Sequence, residues 1–138
     1  MRVCACFNLR RAARAVTRLF DEILEPGGLR STQFIAILAI QAEGTPTLPR
    51  LARALGVDRS TLTRNLKPLV RSGLVDTSSG LGARTTTARL TPKGLKAVAR
   101  CLPLWQEAQG RFEARVGSEQ WRSLLGGLSA VVSAAPDA

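Results

Sequence analysis

The sequence predicts a mainly α-helical fold with one small β-hairpin, an α+β class, arranged as a single domain over residues 1–138. Three observations predict it. Apolar residues recur at spacings of three and four in six segments, each bounded by a capping residue, a proline or a glycine. The period shortens to that of a strand only around residues 74–90, on either side of a Ser- and Gly-rich turn. A chain of 138 residues is long enough for one hydrophobic core and short for two.

The first helix is expected from Asn8 to about Leu24. Leu9, Ala12, Ala13, Val16, Leu19, Phe20, Ile23 and Leu24 lie on one side, Arg10, Arg11, Arg14 and Arg18 on another, and Pro26-Gly27-Gly28 stops it. A second helix should run from Ser31 or Thr32 to Ala42, bury Phe34, Ile37, Leu38 and Ile40, and end at Gly44. In the short third helix Thr47 caps, Pro49 occupies the first turn where a missing amide costs little, Leu51, Ala52 and Leu55 face inward, and Gly56 ends it.

Gly56-Val57 then turns into a fourth helix, which makes the pair a helix-turn-helix. Asp58 is its N-cap, Val57 and Leu62 form a hydrophobic staple around that cap, and Gly73 is its stop. Leu62, Leu66, Leu69 and Val70 make the inward stripe. Arg59, Thr63 and Lys67 follow one outward line, with Ser60, Arg64 and Arg71 beside it and Asn65 at its edge. Pro68 removes one ladder hydrogen bond near the end.

Leu74–Thr77 and Thr85–Leu90 read as the two strands of a hairpin. Thr91-Pro92 opens a fifth helix whose apolar side is expected to hold Leu95, Val98, Ala99, Leu102, Trp105, Phe112 and Val116, with a bend at Pro103. Ser118-Glu119 begins a last helix carrying Trp121, Leu124, Leu125, Leu128, Val131 and Val132. The first and last helices offer more apolar surface than one small lobe needs to cover, so a second subunit is expected to take it.

Charge points to the class of partner. There are 20 Lys and Arg against 10 Asp and Glu, a net charge of +10. Nine of the basic residues (Arg50, Arg53, Arg59, Arg64, Lys67, Arg71, Arg84, Arg89, Lys93) fall between residues 50 and 93 with only two acids, Asp58 and Asp76. An excess concentrated on the helix-turn-helix and hairpin suits a polyanion-binding surface. Arg64 can read a guanine edge with two hydrogen bonds, Asn65 an adenine, and Thr61 or Thr63 can offer a methyl to thymine or a hydroxyl to phosphate. Arg53, Lys67, Arg71 and Arg89 suit sequence-blind phosphate contacts.

An enzyme is the weakest reading: the chain has no histidine, no phosphate-binding loop, no nucleophile elbow and no paired carboxylates. No cofactor is expected, and no metal, since the three cysteines would need carboxylates or a second subunit to close a zinc site. No run of 18 apolar residues is present, so no membrane association and a cytoplasmic location are expected.

Leu51-Ala52 before the turn, Arg59-Ser60-Thr61-Leu62-Thr63-Arg64 after it, Gly73-Leu74-Val75, and Leu90-Thr91-Pro92-Lys93-Gly94 beyond the hairpin make a series. In this order and at these spacings it resembles the MarR family of bacterial winged helix-turn-helix transcription regulators. The resemblance implies a homodimer joined by helices in 1–28 and 92–138, with 31–91 as the DNA-binding lobe and double-stranded DNA carrying a near-palindromic operator as partner. Carried over residue by residue, it implies recognition-helix contacts at Arg59, Ser60, Thr61, Thr63, Arg64 and Asn65, and a wing-tip arginine at Arg84. It departs from the family at Gly82, where an Asp two residues before that arginine is common; Gly80 and Gly82 should loosen the tip.

The function it implies is sequence-specific regulation, with a homodimeric repressor released by thiol oxidation or a small effector. Non-specific DNA packaging is the alternative, and a thiol-disulfide oxidoreductase a more remote one. Cys4-Ala5-Cys6 is similar to the start of an oxidation-sensing subgroup of that family. In an extended segment residues two apart have α-carbons roughly 6.6 to 7 Å apart, at the limit of disulfide reach, and in a helix they diverge. A Cys4–Cys6 bond therefore needs a non-helical start, and two terminal thiols without a role remain the other reading. Cys101, the third redox candidate, falls on the edge of the fifth helix's apolar side and reads also as a small buried hydrophobe. For a small aromatic effector, Arg14, Arg18, Arg30, Phe34, Trp105 and Phe112 are candidate pocket residues, with core packing or a solvated arginine face as the alternative for each.

Overall fold

The computed structural model describes residues 3–79 and 86–135. Six helices and one hairpin follow in the order α1 (Ala5–Leu24), α2 (Ser31–Glu43), α3 (Leu48–Leu55), α4 (Arg59–Arg71), β1 (Val75–Ser79), β2 (Thr86–Leu90), α5 (Pro92–Val116) and α6 (Ser118–Ala134), with a single 3-10 turn at Glu25–Gly27 after α1. Helix α2 lies at the centre and touches α1, α3, α4, α5 and β2. Its Phe34, Ile37 and Ile40 are fully buried, and around them gather Leu24, Leu51, Leu62, Leu69 and Val75.

The start of α2 is held from outside the helix. Arg30, at its N-cap, has no acceptor to offer the free amides, so Asp21 on α1 reaches across. The Asp21 carboxylate accepts Ser31 N and Ser31 Oγ, each at 2.7 Å, and Arg30 Nη1 at 3.2 Å. Partial burial opposes ionisation of this carboxyl, but the Ser31 hydrogen bonds and Arg30 outweigh it and hold its pKa below the ordinary value.

The strands pair antiparallel, with Val75 opposite Leu90 and Ser79 opposite Thr86. They begin and end later on the first strand than the expected Leu74–Thr77, because Ser78 and Ser79 join the ladder through hydroxyl pairs with Thr87 and Thr86. The segment before α3 adds to the same edge: Thr47 bridges Thr87, and Ala88 N donates to Pro46 O at 3.0 Å. This third stretch ties the hairpin to the helix-turn-helix and was not expected from its sequence. The expected features at Gly80, Gly82 and Arg84 lie outside the described residues.

Two faces differ from expectation. On α4, Leu62, Leu66 and Leu69 are buried, whereas Val70 is 39% exposed. On α5 the buried positions are Gly94, Ala97, Val98, Cys101 and Ala108, while Leu95, Ala99 and Leu102 face outward. Small residues win the inner side because α5 packs closely along α1 and against the turn at Gly27, whose added Cβ would lie 2.6 Å from Cys101 Sγ. The helix passes through Pro103 as one element. Helix α6 buries no residue, and edge-to-face packing of Phe112 on Trp121, with centroids 5.1 Å apart, fixes it to α5.

Candidate nucleic-acid interface

Local chemistry sets the orientation of α4. Gly56 takes the left-handed conformation (φ 62°) that ends α3, and its backbone amide donates to Ala52 O and Arg53 O. Two residues later Asp58 opens α4 in extended geometry. Its carboxylate receives Thr61 N at 2.7 Å, Ser60 Oγ at 2.6 Å and Thr61 Oγ1 at 2.7 Å. The hydrogen bond from Ser60, followed by those from Thr61, holds the Asp58 carboxyl well below the usual carboxylate range, so the cap is ionised at neutral pH. Val57 is half-buried beside the fully buried Leu62, as a staple requires.

With Leu62, Leu66 and Leu69 turned in, Arg59, Ser60, Thr63, Arg64 and Lys67 line one open depression of about 620 Å³ on the outer side of α4. Arg64 Nη2 donates to Thr61 Oγ1 at 3.3 Å, and Thr63 Oγ1 donates to Arg59 O at 2.9 Å. Asn65 is half-buried at the margin, Arg71 is exposed in the last turn, and Arg53 is exposed on α3. A second groove, between α4 and the hairpin, is lined by Leu66, Lys67, Val70, Arg71, Thr77 and Thr86 among others. Arg89, in β2, stands directly across from Asp76 and donates to its carboxylate at 2.7 and 3.1 Å, so its charge is already partnered. That pairing depends on strand register, which the sequence alone leaves open.

A joint fastens the far end of α4. Three successive carbonyls there accept from the start of α5: Ser72 O from Lys93 Nζ at 2.8 Å, Gly73 O from Thr91 Oγ1 at 2.6 Å, and Leu74 O from Thr91 N at 3.1 Å. Thr91 Oγ1 also accepts Gly94 N as the α5 cap. Sequence reasoning identified the cap but not the joint; the proximity of Lys93 to the end of the fourth helix arises only when the hairpin folds back.

The remaining candidates are dispersed. Cys4 is the exposed N-cap of α1, with no side-chain capping hydrogen bond, and Cys6 is exposed in the first turn. Cys101 is fully buried; burial raises its thiol pKa against the opposing charge of Arg100, and its Sγ donates to Gly27 O at 3.4 Å. Arg14 and Arg18 are exposed on α1, Arg30 pairs with Asp21, Phe34 is inside the core, and Trp105 is half-buried. Phe112 alone of these lines an apolar cleft of about 300 Å³, together with Leu9, Val16, Phe20, Trp121 and Leu124. Among the described residues no helix is long and apolar enough to cross a membrane, and no three metal-ligating side chains gather.

Known proteins share this architecture. A family profile described as "MarR family" matches residues 27–85. The M. tuberculosis transcriptional regulator MosR, solved in complex with DNA, is 38% identical, with a TM-score of 0.81 over 96% of this chain and 99% of that one. Two Bacillus subtilis (strain 168) proteins are similar over shorter stretches. The HTH-type transcriptional regulator YwoH is 30% identical over 89 residues, or 64% of this chain and 65% of that protein. The organic hydroperoxide resistance transcriptional regulator is 29% identical over 70 residues, or 51% of this chain and 48% of that protein. The relatives are regulators rather than enzymes, and the basic α4 surface is the part of this chain with the chemistry for DNA. With near-complete mutual coverage of MosR and a profile match centred on the helix-turn-helix, this chain is a DNA-binding transcriptional regulator and belongs to the MarR family.

Proposed function

We propose that the chain works as a homodimeric repressor in the cytoplasm, placing α4 of each subunit in successive major grooves of a near-palindromic operator. The observation that carries this is the outer surface of α4, where Arg59, Arg64 and Lys67 surround Ser60 and Thr63 on a rigid, capped helix. Arg64 serves as the base reader, with Arg59, Ser60, Thr61, Thr63 and Asn65 completing the recognition surface, and Arg84 serves as the minor-groove contact of the wing. Lys67, Arg71 and Arg53 hold phosphates, as does Arg89 in its carboxylate-held orientation. The apolar face left open on α6 supports the dimer, which supplies the two-fold symmetry that a palindrome requires.

Release is assigned to the exposed Cys4 and Cys6, in keeping with the similarity to a hydroperoxide-resistance regulator. A small aromatic effector in the apolar cleft lined by Phe112 is the other release route.

Selection from a randomised duplex library, followed by binding titrations at several salt concentrations, tests the core of this reading. Arg64→Ala is expected to lower operator preference by about 1 to 3 kcal/mol. Lys67→Ala should weaken operator and random DNA alike and reduce the salt slope by about 1. Equal losses on both DNAs for Arg64→Ala would remove base reading from that residue, and a library with no selected sequence would favour packaging.

A further inference from the structure

The hydroxyl groups on the first turns of α4 have no free protons. Ser60 Oγ lies 2.6 Å from Asp58 Oδ1 and Thr61 Oγ1 lies 2.7 Å from Asp58 Oδ2. An ionised carboxylate only accepts, so both hydroxyls must donate to it. Thr63 Oγ1 lies 2.9 Å from Arg59 O, another pure acceptor, and must donate there. Thr61 also spends a lone pair on Arg64 Nη2. What remains toward the open depression is a set of lone pairs on Ser60 and Thr63, which both line it; of the two, Ser60 is the one whose proton is held by a charged acceptor.

We infer that Ser60 is a specificity-determining residue whose hydroxyl, oriented by Asp58, accepts a hydrogen bond from an exocyclic amino group and so selects adenine or cytosine over guanine or thymine at one operator position. This rests on α4 occupying the major groove as proposed above. There, adenine N6 and cytosine N4 donate, while guanine O6 and thymine O4 only accept. A keto oxygen opposite Ser60 would meet lone pair with lone pair.

Redirecting the proton toward the base or a phosphate is costly for a second reason. It would strip a donor from the ionised Asp58 carboxylate where that charge stands close to a polyanion, and hydrogen bonds to an ionised acceptor are the stronger kind. The N-cap therefore does more than start the helix: its charge sets the polarity of the hydroxyl next to it.

The test is library selection with the full chain and two variants. The wild type is expected to prefer adenine or cytosine at the position beneath the first turn by about 3- to 10-fold, the range of one neutral hydrogen bond. Ser60→Ala should flatten that position to near parity and leave the others selective. Asp58→Asn keeps an equally good cap, so helix content by circular dichroism should be retained. To keep the cap its oxygen must stay on Thr61 N, where Ser60 still donates to it, but that acceptor has lost its charge and holds the proton less firmly, so the preference should shrink.

Unchanged preference at every position in Ser60→Ala overturns the inference while leaving sequence-specific binding intact, and so does a Ser60-dependent position that selects a keto base. Loss of all sequence selection in the wild type overturns this inference and the operator reading together.

Discussion

Among the three thiols, surroundings separate one from two. Cys101 donates to Gly27 O inside the α1–α5 packing, where burial keeps it protonated and out of reach of an oxidant. Cys4 and Cys6 are exposed at a helix start that lacks a side-chain cap and has no acidic residue in its first turn. Asn8 N and Nδ2 both donate to Cys4 O, so a Cys4–Cys6 bond would have to open this turn. Mild peroxide is expected to weaken operator binding of the wild type and of Cys101→Ser, and to leave a Cys4→Ser, Cys6→Ser variant unaffected. A titration in which all three respond alike, or none does, would make the terminal thiols bystanders. The positions of these cysteines were legible from the sequence, including the edge location of Cys101; its depth of burial came from α1 and Gly27, 70 and more residues away.

Between elements, the closest constraint is at the start of α5. A Cβ on Gly94 would lie 2.1 Å from Leu74 O, a backbone atom that is itself held by Thr91 N. Gly94→Ala is expected to lower unfolding stability by about 3 kcal/mol, since the joint between α4 and α5 must move apart. Gly110→Ala, in the same helix with nothing within 4 Å of the new methyl, should instead gain about 0.5 to 1 kcal/mol. Chemical denaturation of both variants checks the pair, and similar midpoints would show that the joint yields easily. The capping residues of α3, α4 and α5 were all legible because a cap and its amide are three residues apart. Asp21 as the anchor of α2 was not, being ten residues from Ser31 and on another helix.

At the scale of the molecule, α6 has Leu124, Leu125, Leu128 and Val131 between 37% and 46% exposed, and Leu124 and Leu128 line the apolar cleft with α1 and α5. Such a face is costly in water unless a second copy covers it. Leu124→Glu, Leu128→Glu is expected to yield monomers by analytical ultracentrifugation with helix content retained. Operator affinity should fall by about 100-fold or more, because two linked half-sites then bind as separate ones. A variant that sediments as the wild type does would remove this face from the proposed dimer.

The sequence by itself determined the helix starts and stops, the helix-turn-helix, the hairpin and the sign of the surface that meets DNA. Each of these is written in residues a few positions apart and in a charge excess that no folding can remove. Only the tertiary structure decided that Leu95 and Leu102 face outward while Ala97 and Cys101 pack inward, that Arg89 is paired with Asp76, and that Lys93 secures the end of α4. Periodicity says that a helix has an apolar side; the shape of the neighbouring element decides which of two adjacent stripes fits closest, and here small residues fit where leucines do not.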